Sequence, residues 1–173
     1  MIGDPQLILS LRLFLALLLL ASALHKLRDL PTFAGAFAEY RLLPRDLALT
    51  VAPGIAGIEL ALVAALVSPW AGLAALATAG LFSVYSLGIG INLLRGRREI
   101  SCGCGGFGSA QPIHGGLLLR NGLLVLAAFA AASQTPAGLP ESAPWLAAAV
   151  APALALVYGA SDQLLANSVA GVR

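Results

Sequence analysis

Charge is scarce in this chain. Only 10% of its 173 residues are Asp, Glu, Lys or Arg, while 59% are apolar. Soluble domains carry about 25% charged residues, and a short soluble chain leaves much of its surface in water. The scarcity excludes an ordinary soluble domain and makes lipid the sensible solvent. A net charge of +2 is too small to suggest nucleic acid as a partner. The N-terminal tail has no Lys or Arg, only Asp4, and Arg12 interrupts the apolar stretch that follows. Signal peptides have the opposite layout, so Ala21-Ser22-Ala23 is not expected to be a cleavage site. Internal repeats are lacking. Cysteine is almost lacking as well, and its two copies, Cys102 and Cys104, stand one residue apart. Scattered structural thiols would seldom fall so close together.

What is abundant is long apolar runs. About 20 apolar residues span a bilayer as a helix. Five segments meet that need, at roughly 7–24, 47–67, 71–94, 113–132 and 145–166. The fold class expected is therefore all-α, a membrane bundle of about five transmembrane helices forming a single domain over 1–173. The ten prolines and nineteen glycines lie between or within these runs, where transmembrane helices tolerate them. Pro152 makes the last helix the least regular. Residues 25–46 form a polar connection with a short amphipathic helix around 31–43, whose Phe33, Phe37 and Tyr40 suit the membrane interface. Ser68-Pro69-Trp70 reads as a tight turn joining an antiparallel helix hairpin. Residues 95–112 are a glycine-rich loop holding both cysteines, and 133–144 are a polar loop.

Lys and Arg of short loops mark the cytoplasmic side. Lys26, Arg28, Arg41, Arg45, Arg95, Arg97, Arg98 and Arg173 all fall on one side of a five-helix chain, and none falls on the other. The rule puts the N-terminus outside and the C-terminus in the cytoplasm, in a multi-pass protein of the bacterial inner membrane.

Apart from Asp162 near the end of the last span, three charges lie within the spans. Counting ~1.5 Å per residue from the basic ends places Glu59 at roughly 18 Å, Arg12 at roughly 20 Å and Arg120 at roughly 11 Å. Intramembrane charges usually face the bundle interior and pair. The expectation is a contact between Glu59 and Arg12 or Arg120, with Asn121 making a helix–helix hydrogen bond. Asp162 is read as solvated near the membrane edge. His25-Lys26 is read as a favourable helix C-terminus.

The cysteine loop admits several readings. A dithiol that cycles with a disulfide is favoured by Gly103, which can supply the unusual backbone a one-residue ring requires. Such a bond is strained, and strained disulfides reduce more easily. The nearby arginines and the helix N-terminus near Ile113 favour the reactive thiolate. A second reading is a soft-metal (Cu or Zn) transporter or chaperone with Cys102, Cys104 and His114 as ligands, lacking an obvious fourth. A third is a non-redox membrane assembly protein with incidental thiols.

Several pieces in order carry a resemblance: His25-Lys26-Leu27-Arg28, Phe33, Tyr40-Arg41-Leu42-Leu43-Pro44, Glu59-Leu60, Asn92-Leu93-Leu94-Arg95-Gly96, Cys102-Gly103-Cys104 and Arg120-Asn121. Across about 7–130 the chain resembles the methylamine utilisation protein MauE family, relatives of the DoxX-like membrane proteins. The family follows its Cys-Gly-Cys with Phe-Gly, whereas here Gly105-Gly106 intervene before Phe107-Gly108. The resemblance implies an accessory maturation protein that acts with a thioredoxin-like partner. Its implied client is the small (β) subunit of methylamine dehydrogenase, a periplasmic protein rich in disulfides, which would need disulfide formation, processing or export. Cys102 and Cys104 would act as the thiol–disulfide pair, supported by Gly103, Arg12, Glu59, Arg120 and Asn121. No bound cofactor is required, and a quinone is a candidate electron acceptor. The periplasmic client and the charge rule place the chemistry on opposite sides. Three resolutions stay open: a loop that dips into the membrane, a pair that alternates between faces, or an inverted topology.

Overall fold

A computed structural model describes residues 4–102, 112–133 and 143–170 of the chain. They form six helices: α1 (Pro5–Arg28), α2 (Leu30–Glu39), α3 (Arg45–Leu66), α4 (Ala71–Leu94), α5 (Gly115–Ala131) and α6 (Ala143–Ala170). The protein is an all-α membrane bundle. α1, α3, α4 and α6 are long and apolar enough to cross a membrane, and α5 is a shorter apolar helix. Its 17 residues rise about 25 Å, a little under a ~30 Å hydrocarbon core.

The local starts and stops are written in the chain. Asp4 caps α1, its carboxylate accepting from the Gln6 N–H at 2.8 Å, and Pro5 takes the first turn, where no N–H is needed. Asp29 caps α2 in the same way through the Thr32 N–H at 3.2 Å, and hydrogen bonding by the Thr32 side chain, then by that N–H, holds its carboxyl below the usual range. α2 is the amphipathic helix expected within 25–46. Ser68 closes the turn between α3 and α4 with its hydroxyl on the Ala65 carbonyl and on the Trp70 N–H. α4 ends at Gly96, whose φ of 72° lets the Gly96 and Arg97 N–H groups fold back onto the Leu93 and Asn92 carbonyls. α3 and α6 run unbroken through Pro53 and Pro152.

α1 is the central helix, packing against α3, α5 and α6 and touching α2. Its Phe14, Leu15, Leu18 and Leu19 share one buried core with alanines of the other helices, among them Ala75 and Ala79 of α4, Ala128 and Ala131 of α5, and Ala151 and Ala155 of α6. Lipid supplies no hydrophobic force between helices, so close approach of small residues holds them together. The opposite faces are large and apolar: Leu119, Leu123 and Leu126 form an exposed stripe on α5 at 60–70% exposure. Such a surface suits lipid and not water.

Contacts between loops show which helix ends share a side. Arg97 approaches Glu39 at 3.9 Å, and Arg95 donates to the Arg41 carbonyl at 3.4 Å. Leu165 of α6 lies beside Gly116 of α5. Arg28, Arg41, Arg45, Arg95, Arg97 and Arg98 thus crowd one end of the bundle, whereas Arg173 lies outside the described residues. At the other end Ala132 lies against Gly72.

Arg12 also works at that far end. Its Nε donates to the Ala131 carbonyl and its Nη2 to the Ser133 carbonyl, both at 2.9 Å. These are carbonyls at the end of α5, which no helical N–H can reach and which a cation suits. Arg12→Met removes two charge-assisted bonds, and about 1–3 kcal/mol of stability should go with them. A thermal midpoint in detergent that falls by several degrees is the expected result; an unchanged midpoint would show that the cap contributes nothing.

Candidate functional site: a buried ion-pair network beside Cys102

The buried face of α3 repeats at helical spacing through Ala48, Ala52, Ala56 and Glu59. Three alanines let α3 approach closely, and the fourth position delivers a carboxylate to the interior. Glu59 is fully buried and so is Lys26, with 0% and 2% exposure. Lys26 Nζ donates to Glu59 Oε1 at 2.7 Å and to Oε2 at 2.9 Å. Ser22, one turn before Lys26 on α1, donates to Oε1 at 3.1 Å and accepts from Lys26. Tyr85 of α4 donates its hydroxyl to Oε1 at 2.8 Å. The ammonium also lies 5.3 Å from the Phe33 ring centre and 5.7 Å from that of Tyr85, where ring faces stabilise a cation. Three helices therefore converge on one carboxylate. Buried charges cost several kcal/mol each to desolvate, and only such complete pairing offsets the cost.

The expected partners of Glu59 were Arg12 or Arg120, and the structure corrects both. Arg12 sits ten residues before Ser22 on α1, about 15 Å away along the helix axis, and caps α5. Arg120 pairs with Asp162 of α6, which is buried and not solvated. α6 continues to Ala170, so Asp162 lies two turns inside the helix end. Asn121 accepts weakly from Arg120 at 3.3–3.4 Å, and its own amide nitrogen is buried with no partner among the described residues. A void of about 30 Å³ lies between Ser22 and Tyr85 on one side and Arg120, Asn121 and Asp162 on the other. It is large enough for a water or two, to which that amide can donate.

The neck of the glycine-rich loop is pinned. Ser101 pairs with Pro112, and the Ile113 N–H donates to the Ile100 carbonyl at 3.0 Å. Cys102 follows directly and is buried, its carbonyl accepting from the Tyr40 hydroxyl at 2.9 Å. Asn92 anchors the same corner, donating to the Tyr40 and Gly88 carbonyls at 3.1 Å and accepting from Arg97. Gly103 and Cys104 lie outside the described residues. His114 caps α5, with Nδ1 accepting from the Gly116 N–H at 3.2 Å. An imidazole whose Nδ1 accepts a hydrogen bond has no proton there, so the cap holds the ring in a neutral form. Among the described residues no three His, Cys, Asp or Glu side chains gather as metal ligands.

Cys102 lines a cavity of about 300 Å³ between α2, α3 and α4, shared with Lys26, Phe33, Phe37, Tyr40, Tyr85 and Gly88. Phe33 and Phe37 stack on each other with ring centres 6.3 Å apart, so the α2 aromatics line the cavity wall. The sequence reading placed the cysteines and Glu59 among the site residues but missed Lys26, Ser22 and Tyr85 as partners. A signal existed for the first two: Ser22 and Lys26 are spaced one turn apart on an otherwise apolar helix face.

The chain is similar to several known proteins. A protein of Paracoccus denitrificans named "Methylamine utilization protein MauE" is 41% identical over 140 residues, covering 80% of this chain and 75% of its own length. A protein of the same name from Methylorubrum extorquens is 38% identical over 178 aligned positions, covering 100% of this chain and 94% of its own. One from Paracoccus versutus is 37% identical over 138 residues, or 79% of this chain and 74% of its own length. No solved structure matches significantly. The family model for methylamine utilisation protein MauE matches residues 4–134, and the chain belongs to that family.

Proposed function

We propose that this protein serves methylamine utilisation as a membrane thiol–disulfide factor that matures a periplasmic client, the methylamine dehydrogenase small (β) subunit or a protein like it. The observation that carries the proposal is the placing of Cys102. A cysteine on a glycine-rich loop is held by a pinned neck and a tyrosine hydrogen bond at the wall of a cavity. In the proposed cycle a thiolate of a thioredoxin-like partner attacks the Cys102–Cys104 disulfide, that S–S bond breaks and a mixed disulfide forms. The partner's second thiolate then displaces it, so the partner leaves oxidised and two electrons remain on the cysteine pair. The metal reading draws less support, because His114 already spends Nδ1 on its helix cap.

The arginine-rich end is proposed to face the cytoplasm, with the C-terminus there. Cys102 shares its cavity with Gly88, seven residues inward from Arg95 and so about 10 Å deeper along α4. This favours a loop that dips into the membrane as the answer to the conflict of sides. Thiol trapping in intact cells tests the reading. Without reductant both cysteines should resist alkylation, and after reduction only a membrane-permeant reagent should reach them. Two thiols alkylated throughout would overturn the redox cycle, and ready labelling by an impermeant reagent would overturn the orientation.

A further inference from the structure

We propose that the cavity between α2, α3 and α4 binds the ring of a membrane quinone, which accepts the two electrons left on Cys102 and Cys104. The inference rests on the thiol–disulfide reading and names the oxidant that reading needs. A volume of about 300 Å³ is at the scale of small-molecule sites. Ile58 and Val84 stand at its rim with 53% and 63% exposure, on helix faces that meet lipid. The cavity therefore opens toward the bilayer, and its occupant is lipid-soluble. The floor carries no net charge, because Lys26 and Glu59 neutralise each other. An anionic lipid headgroup would enter an apolar space without a counter-charge, whereas a neutral ring would not. Aromatic side chains of α2 and α4 suit a flat occupant. A cysteine among the lining residues makes a redox-active one the apt choice.

The chemistry closes without another reactant. Both S–H bonds of the dithiol break and one S–S bond forms, releasing two electrons and two protons. The quinone takes up both, and its two carbonyls become hydroxyls. The quinol then leaves into the bilayer through the same opening.

The test begins with the Cys102→Ser/Cys104→Ser protein, purified in detergent and titrated with decylubiquinone. Binding in this thiol-free protein is independent of the redox cycle, so its failure is separable from failure of the thiol–disulfide reading. Saturable binding is expected, and a photoreactive quinone should cross-link to segments 33–40 or 81–88. Gly88→Leu pushes a side chain into the cavity, where the nearest atoms to a Cβ at Gly88 belong to Leu42 and Tyr40, at 3.4 Å or more. Ile58→Trp fills the rim from a lipid-facing position and does not depend on the packing around Gly88. Each should weaken binding at least about tenfold. One equivalent of decylubiquinone added to reduced wild-type protein should yield one disulfide and one quinol. The proposal is overturned by absent saturable binding, by retention of phospholipid alone, by equal affinity in both cavity-filling variants, or by bound quinone that leaves the dithiol reduced.

Discussion

Replacing either cysteine by serine will abolish maturation of the client while the bundle still inserts. Cys102 and Cys104 are the only thiols in the chain, so neither has a substitute. One of the single variants will also accumulate a mixed disulfide with a thioredoxin-like partner, because the thiol that resolves it is gone. Cys102 is itself buried, so its replacement also touches packing. A serine hydroxyl there, at 7% exposure, sits among Ile89, Ile100 and Ile113. About 1–2 kcal/mol of stability should be lost for that reason alone. Cys102→Ala avoids the buried hydroxyl and separates the two effects. Client disulfides scored by alkylation and protein level by immunoblot give the readout. A double-serine variant that matures its client normally would end the redox and the metal readings together.

The second large effect falls on the buried ion pair. Lys26→Met leaves Glu59 charged without a cation, and Glu59→Leu leaves Lys26 without an anion. Each should cost about 3–5 kcal/mol, a large share of the 5–15 kcal/mol that typically holds a protein folded. Steady-state protein should fall several-fold in either single variant. The double variant Lys26→Met/Glu59→Leu removes both charges and fills their space with apolar groups. It should recover most of the lost stability, because replacing both partners of a buried pair is often nearly neutral. Its activity then decides what the pair is for. Recovered stability without recovered client maturation marks the pair as part of the site; recovery of both marks it as scaffold only. A double variant no more stable than the worse single one would show that the two charges are not coupled.

Composition and pattern alone determined a good deal. The scarcity of charge made this a membrane protein, and the apolar runs located α1, α3, α4, α5 and α6. Ser68-Pro69-Trp70 marked the hairpin turn, and the aromatic spacing marked α2. The asymmetry of arginine between loops marked one end of the bundle, where the structure gathers those arginines. These features are local: each is decided by solvent preference or by turn chemistry within a few residues.

The charge pairing was decided only by tertiary structure. Depth counted along each helix from its own end assumes that the helices are flush, and they are not. Ser22 lies six residues from the end of α1, yet it meets Glu59, which lies fourteen residues from the start of α3. The difference of eight residues is a stagger of about 12 Å. The ten-residue helix α2, which packs against α3, lies in the chain between these two helix ends. That offset carries Arg12 away to the end of α5 and brings in Lys26, which the sequence presented as a loop cation. Asp162 moved inward for a related reason, since α6 extends beyond the apolar run that outlines it. A buried charge announces from sequence that it needs a partner, but the partner's identity depends on how far neighbouring helices slide, and packing sets that distance.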